Sequence, residues 1–364
     1  MAGTAAVERC PVCEAAESIF FRHIDGYDYF QCAGCGSLHI DNATLGAIDA
    51  GKSTRIYNAS YWRDELIAAR ERAQGEALVR SGEAILCARR PVTRFLDVGA
   101  GPGYLLDELA RQFPQRAAMF HGVELYPPET HSSHPNYHMG DVGSVLEKFD
   151  AGVCIEVIEH LTPTMLTGLV RNLARVSEPD ALWLFNTGMP ELVLQHDPGY
   201  LDPSYRGHII SYSLAGLRYL FEPCGFRLSP FPGKNYLFMA EYLPADPGIE
   251  FERRVREPLA GNMALLQDAR LILQAVLESM RDSLCEEQLA ERTQWAFSLR
   301  DELAAATRRL AGLQVYEAEL TALRGSLAAL QAEHHRVIHS RAWKLTRPLR
   351  VVASWVRGVR HEQH

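Results

Sequence analysis

The chain has 364 residues and a mass of 40.7 kDa, with 47% hydrophobic and 23% charged side chains. That composition buries a core and excludes wholesale disorder. Its 37 basic against 45 acidic residues leave a net charge of −8, which argues against a dedicated nucleic-acid partner. No run approaches the ~18 apolar residues of a membrane span. The opening MAGTAAVERC lacks the basic cluster and apolar stretch of a secretory signal, so a reducing cytoplasmic setting is expected. There, metal binding or burial suits the eight cysteines better than disulfides.

Four of those cysteines, Cys10, Cys13, Cys32 and Cys35, form a C-x2-C-x18-C-x2-C pattern. Each C-x2-C step puts two thiolates on one tight turn, and two such turns complete a tetrahedral shell for structural Zn2+. Ile19 to His23 and Tyr27 to Gln31 read as strands around the turn at Asp25-Gly26, the pattern of a zinc ribbon over residues 1–45. Four unmetallated thiols are the competing reading. His23 and His39 are expected to be solvated or packed rather than ligating.

Residues 46–245 alternate helix-like and strand-like segments, as in an α/β domain with a largely parallel sheet. A long helical pattern is expected over 63–87. Strands are expected near 94–98, 121–125, 151–157, 181–186, 226–230 and 236–242, with helices at 104–111 and 165–176. Ligands in such folds bind beyond the strand C-termini.

At the first of these ends stands Phe95-Leu96-Asp97-Val98-Gly99-Ala100-Gly101-Pro102-Gly103-Tyr104. A strand running through glycines into a helix lets a ligand approach backbone N–H groups with no Cβ in the way. A dinucleotide fingerprint would need glycine at position 104, which is Tyr104. The D-x-G-x-G-x-G spacing resembles motif I of class I S-adenosylmethionine-dependent methyltransferases. Three further landmarks follow in that family's order: Glu124 after a strand-like stretch, Gly140-Asp141-Val142, and Glu156-Val157-Ile158-Glu159-His160. The resemblance covers about residues 50–245 and implies a Rossmann-like methyltransferase sheet. It implies S-adenosyl-L-methionine contacts from Asp97, Gly99, Gly101, Gly103, Tyr104, Glu124, Asp141, Val142 and Glu156. Glu124 would grip the ribose hydroxyls, since a carboxylate accepts two hydrogen bonds from a diol. A plain surface acid at a strand end is the alternative.

Methyl transfer to a hydroxyl needs alignment and removal of a proton. Histidine is the first candidate for base. His160 follows the fourth strand, and His208 lies in a long connection after the fifth; both are read as catalytic candidates, against loop-bracing roles. The Glu156, Glu159, His160 string is also similar to a segment that binds Mg2+ in small-RNA 3′-end and some quinone O-methyltransferases, with His208 as a further donor. The same string occurs in metal-free methyltransferases, so Mg2+ is a secondary expectation.

Beyond about residue 245 the chain changes character. Residues 246–288 read as a helical linker, with helix expected over 251–280 interrupted only around Pro258 and Gly261. Residues 289–340 carry an apolar stripe through Leu299, Leu303, Ala306, Leu310, Leu313, Leu320, Leu323, Leu327, Leu330 and Val337, read as a coiled coil joining a second copy or another chain. A helix packed back on the catalytic domain is the competing reading. Residues 341–364 form a basic amphipathic tail suited to an anionic membrane surface or an acidic protein partner.

Ser340-Arg341-Ala342-Trp343-Lys344-Leu345-Thr346-Arg347-Pro348-Leu349-Arg350 is similar to an ending found behind coiled coils in bacterial surface-polysaccharide enzymes, departing from it at Ala342 and Lys344. The expectation is therefore a methyltransferase acting on a sugar or glycan hydroxyl, cytoplasmic and peripheral on the inner membrane face. A sugar-nucleotide C-methyltransferase and a non-catalytic scaffold or chain-length regulator are the alternatives.

Overall fold

The computed structural model describes residues 7–55, 59–246, 248 and 250–346. The chain divides into two compact units, one up to Gln288 and one from Leu289. The first opens with strands β1 (Val7–Arg9), β2 (Glu17–Ile24), β3 (Tyr27–Cys32) and β4 (Leu38–Ile40). The β2–β3 hairpin turns at Asp25 and Gly26, both with positive φ. Helix α1 (Asn42–Asp49) follows, its first turn capped by Asp41, which accepts from Thr44 N at 2.8 Å.

Next come α2 (Ala59–Gln74) and α3 (Glu76–Cys87). The single helix expected over 63–87 is thus two helices. Gly75 between them adopts φ −123° and ψ −105°, outside helical space, so the hydrogen-bond ladder stops there. Of the YNASYW segment expected to lead in, Tyr57 and Asn58 lie outside the described residues.

The central sheet is built from β5 (Phe95–Val98), α4 (Tyr104–Gln112), β6 (Phe120–Glu124), β7 (Tyr137–Met139), β8 (Phe149–Ile155), α5 (Pro163–Val176) and β9 (Ser177–Asn186). There follow α6 (Pro190–Gln195), β10 (Ile210–Ser211), α7 (Leu214–Phe221), β11 (Phe226–Pro230) and β12 (Leu237–Tyr242). The seven strands lie in the order β11-β12-β9-β8-β5-β6-β7. β5 to β9 run parallel, and β12 is antiparallel to both its neighbours. β5, every residue of it buried, and the mostly buried β8 and β9 read as near-continuous apolar runs, as strands covered on both faces must. The chain leaves β5 toward β6 on one side and returns to β8 on the other, so the crevice opens beyond the end of β5.

β10 joins the other sheet, pairing Ile210 with His39 and Ser211 with Leu38, in the order β1-β2-β3-β4-β10. The cysteine-bearing strands and the connection that carries His208 therefore share a sheet. They also share an apolar cluster that includes Val12, Leu38, Trp183, Ile209 and Tyr212.

Residues 246–288 do not behave as a linker. Helices α8 (Phe251–Arg256), α9 (Ala260–Gln267) and the start of α10 (Arg270–His339) bury Phe251, Leu266, Ile272, Val276 and Met280. Such side chains are worth roughly 1.5–3 kcal/mol each on burial, enough to hold the stretch in place. Gly82 of α3 permits the close approach: a Cβ there would lie 2.5 Å from a Val276 methyl. Arg254 forms a bidentate ion pair with Glu241, both 2% exposed. Of the interruptions expected in 251–280, the one at Pro258 is present, Gly261 lies inside α9, and an unexpected break falls between Gln267 and Arg270.

In the second unit, helix α10 continues unbroken to His339, through Gly312 and Gly325, and the short α11 (Arg341–Leu345) follows. Leu299, Leu303, Leu310, Leu313, Leu320, Leu323, Leu327, Leu330 and Val337 are all exposed. Most of the predicted amphipathic tail, from Arg347 onward, lies outside the described residues. No helix among the described residues is long and apolar enough to cross a membrane.

Candidate active site

The glycine turn after β5 is folded by its own backbone. Gly99, Gly101 and Gly103 have φ of 75°, 51° and 78°. Gly99 N and Ala100 N both donate to Val123 O at 3.0 Å, tying the turn to β6. A Cβ on Gly99 would lie 2.4 Å from a Val157 methyl, whereas one on Gly101 would meet nothing within 4 Å. Gly99 is thus required by close packing, and Gly101 faces open space that a ligand can occupy. Tyr104 begins α4, with the Arg70 guanidinium 4.6 Å from its ring centre.

Glu124 closes this turn from the end of β6. Its Oε2 accepts from Gly101 N and its Oε1 from Tyr126 N, each at 2.8 Å. A carboxylate has about four acceptor positions, so two remain for a diol. Asp97 is buried, and that burial, with the neighbouring Glu124 charge, raises its carboxyl to about 7. Asp141 caps the 3-10 turn Val142–Ser144, accepting from Gly143 N at 2.6 Å and Asn172 Nδ2 at 2.5 Å. Val142 is buried beneath it. Glu156 has φ 53° and accepts from Asn186 Nδ2 at 2.9 Å. The turn, its open face and the Glu124 carboxylate fit S-adenosylmethionine; Asp97, Gly99, Gly101, Gly103, Tyr104 and Glu124 would hold it. Asp141, Val142 and Glu156 line the neighbouring strand ends.

A second constellation follows β8. His160 ends a 3-10 turn, Ile158–His160, and its Nδ1 lies 3.0 Å from Gly207 O. His208 Nδ1 lies 2.8 Å from Tyr200 O. Carbonyls only accept, so both Nδ1 atoms carry the hydrogen and both Nε2 lone pairs are free. The two Nε2 atoms stand 3.9 and 3.8 Å from Glu159 Oε1. Glu159 is fully buried; its Oε2 accepts from Thr187 Oγ1 at 2.9 Å, while Oε1 has no hydrogen-bond partner. Burial, followed by the Glu156 charge, raises the Glu159 carboxyl well above the usual range. Burial lowers His160 to about 4, and burial with His160 beside it lowers His208 to about 2. Both rings are therefore neutral near pH 7.

The ribbon holds this constellation in place. Tyr29 Oη donates to His208 O at 2.8 Å, Ile40 N to Ile209 O at 2.9 Å, and Ile209 N to Glu159 O at 3.0 Å. The four cysteine sulfurs converge nearby in the chain fold, all within 4.8 Å of one another. Cys10–Cys35 and Cys13–Cys32 Sγ distances are 3.8 and 3.7 Å. Those match the edges of a tetrahedron with Zn–S of ~2.3 Å. Gly34 N and Cys35 N donate to Cys32 Sγ, as a thiolate requires. His39 is buried and bonded to Ser18 Oγ at 2.8 Å, and His23 is exposed beside Asp28, so neither joins the sulfurs.

The sequence reading missed the structural roles of Tyr200, Thr187 and Tyr29. The Tyr200 ring centre lies 4.4 Å from that of His208, tilted by 44°, and its hydroxyl accepts from Gly188 N at 2.7 Å. Nothing in local spacing marks such residues. Glu159 was visible in the E-x-x-E-H string, and its position between the two imidazoles was not.

The family model described as "Methyltransferase domain" matches residues 59–229. The matched segment holds most of the parallel-rich seven-stranded sheet, which resembles that of a Rossmann-like methyltransferase. Among solved structures, the chain is similar to S-adenosylmethionine-bound CalS10, an amino pentose methyltransferase from Micromonospora echinaspora, at 18% identity over 48% of this chain and 96% of that one, with a TM-score of 0.36. DesVI of Streptomyces venezuelae gives 18% identity over 50% and 98%, with a TM-score of 0.37. Human N-acetylserotonin methyltransferase gives 15% over 44% and 51%, with a TM-score of 0.34. No curated protein sequence matches the chain.

Proposed function

We propose that the protein transfers a methyl group from S-adenosylmethionine to a sugar hydroxyl during assembly of a bacterial surface polysaccharide or glycolipid. The observation that carries methyl transfer is the adjacency of the glycine turn to the histidine pair: Val157, packed on Gly99, lies two positions before Glu159. Bound S-adenosylmethionine supplies an electrophilic methyl on a sulfonium. Glu124 and the open face at Gly101 hold and orient it. His160 and His208, neutral with free Nε2 lone pairs, activate the acceptor hydroxyl by accepting its proton, and Glu159 Oε1 steadies the charge that forms.

Support for a glycan acceptor comes from the Ser340 to Arg350 string and its likeness to endings of surface-polysaccharide enzymes. Cys10, Cys13, Cys32 and Cys35 hold structural Zn2+, in our reading, because a closed four-sulfur shell leaves no open position. The exposed leucines of the second unit suit pairing with a second copy of the helix, and the basic tail suits an anionic membrane. Calorimetry should show S-adenosylmethionine binding to zinc-replete protein. Mass spectrometry should then show surface glycan lacking one methyl increment in cells without the gene. Absence of cofactor binding rejects the enzymatic reading, and an unchanged glycan rejects the acceptor.

A further inference from the structure

Three guanidinium groups from separate parts of the chain bear on the histidine pair: Arg55 ahead of α2, Arg72 on α2, and Arg206 in the connection before β10. The point that a Cβ on Gly207 would occupy lies 3.0 Å from Arg55 Cδ, 3.6 Å from Arg55 Nη1 and 3.2 Å from His160 Nδ1. Gly207 has a φ of 81°, and its lack of a side chain lets Arg55 lie across the loop against His160. Arg55 Nη1 also donates to Arg206 O at 2.6 Å, which ties both arginines to one loop.

Their charge reaches the rings. Burial lowers His160, and the charges of Arg55 and Arg72 add to it. Burial and His160 lower His208, and Arg206 and Arg55 add to that. Among the described residues, the leading fixed charges acting on the pair are therefore guanidinium charges. The carboxyls beside the rings weigh less than their number suggests, because burial raises Glu159 well above the usual range and raises Glu156 as well. Arg72 pairs with Glu65 of its own helix. Arg206 meets Asp197 only at 3.5 Å, with the two side chains 46% and 41% exposed. An exposed pair of that kind contributes little and yields to a stronger anion.

We propose that Arg55, Arg72 and Arg206 bind a phosphate or diphosphate carried by the acceptor sugar, while its hydroxyl meets His160 and His208. This rests on the reading of the histidine pair as the acceptor site and names the acceptor's chemical class. A guanidinium donates two parallel hydrogen bonds to a phosphate. Three of them, on separate segments, suit the several oxygens of a phosphate better than the two of a carboxylate. A sugar nucleotide and a sugar diphosphate on a lipid carrier share that chemistry.

The test uses full-length, zinc-replete protein at low salt, titrated calorimetrically with and without S-adenosylhomocysteine in the cofactor site. The probes are glucose 1-phosphate, inorganic pyrophosphate, UDP, glucuronate and methyl glucoside. One glucose 1-phosphate or pyrophosphate per chain is expected, bound more weakly as salt is added. Arg206→Ala and, separately, Arg55→Gln should each weaken that binding about tenfold, with cofactor affinity unchanged. Arg218→Ala, which removes an exposed cation of α7 beside Glu222, should leave it unchanged. Near-ultraviolet circular dichroism and thermal unfolding check that each variant is folded; Arg206 is the milder change, being 46% exposed. UDP bound at least about tenfold more tightly than pyrophosphate supports a sugar nucleotide, and a smaller gap supports a diphosphate on another carrier. Absence of saturable binding up to millimolar probe overturns the proposal. So does glucuronate or methyl glucoside binding as tightly as glucose 1-phosphate, an unchanged isotherm in both folded arginine variants, or an equal loss in Arg218→Ala. The outcome is separable from the proposed function. Cofactor binding without phosphate binding leaves a methyltransferase of an uncharged acceptor; phosphate binding without cofactor binding keeps the arginine site and removes the enzymatic reading.

Discussion

The cofactor crevice and the histidine cluster are neighbours assembled in opposite ways. In the crevice, Asp97 to Tyr104 are consecutive, and backbone N–H groups, glycine dihedrals and one carboxylate from the adjacent strand make the site. In the cluster, His208 comes from a connection far along the chain, and its side chain and backbone are held by Tyr200, Tyr29 and the β4–β10 pairing. A site made of local backbone tolerates change around it and fails when its own glycines change. A site made of converging side chains depends on every element that orients them. The cysteine-bearing strands, remote in sequence from both sites, are therefore part of the histidine cluster's scaffold.

The sharpest way to break this contrast is Gly99→Ala. The new Cβ would stand 2.4 Å from Val157 at a φ of +75°. Strain and overpacking together should cost about 3 kcal/mol, lowering the melting temperature by roughly 6–12 °C. A wild-type melting curve would show that the turn is not constrained by packing.

Glu124→Ala comes next. It removes the carboxylate on the turn and should weaken S-adenosylmethionine binding by about 2 kcal/mol, roughly 30-fold, read by calorimetry. An effect under threefold would assign the ribose to another group.

The pH dependence of that binding probes Asp97. Its carboxyl, raised to about 7, is largely protonated below neutrality, whereas a cationic donor favours the ionised form. Affinity should fall toward tenfold per pH unit below 7 and be flat above about 8. Binding should release a proton at the lower pH values, seen by comparing buffers of different ionisation enthalpy. Proton uptake would contradict the sign.

The smallest effect sharpens the other side. Tyr29→Phe removes one hydrogen bond to the His208 carbonyl and should cost about 1 kcal/mol. Methyl transfer should slow severalfold while S-adenosylmethionine affinity stays unchanged. Equal loss of both would place the ribbon behind the crevice as well.

Six of the central sheet's seven strands were readable because buried strands are apolar runs bounded by turn residues, as at Phe95 to Val98 and Ala181 to Asn186, whereas the short, largely unburied β7 was not. The break at Gly75 was not, since the surrounding residues keep helical periodicity and only the packing of α2 and α3 divides them. β10 was equally hidden: two residues, Ile210 and Ser211, carry no strand signal of their own and become a strand only by pairing with β4. Residues 246–288 looked like a linker because their apolar positions are spread over two short helices and the start of a long one, whose common burial face exists only against the rest of the fold.

Spacing along the chain sufficed for the glycine turn, for the cysteine quartet and for the stripe on the long helix, because each rests on dihedral freedom, short loops or helical period, all local properties. Long-range packing alone decided that Glu159 lies between His160 and His208 with an unpartnered oxygen. Two imidazoles separated by two helices, a strand and their connections meet only when the ribbon sheet and the central sheet are folded against one apolar cluster.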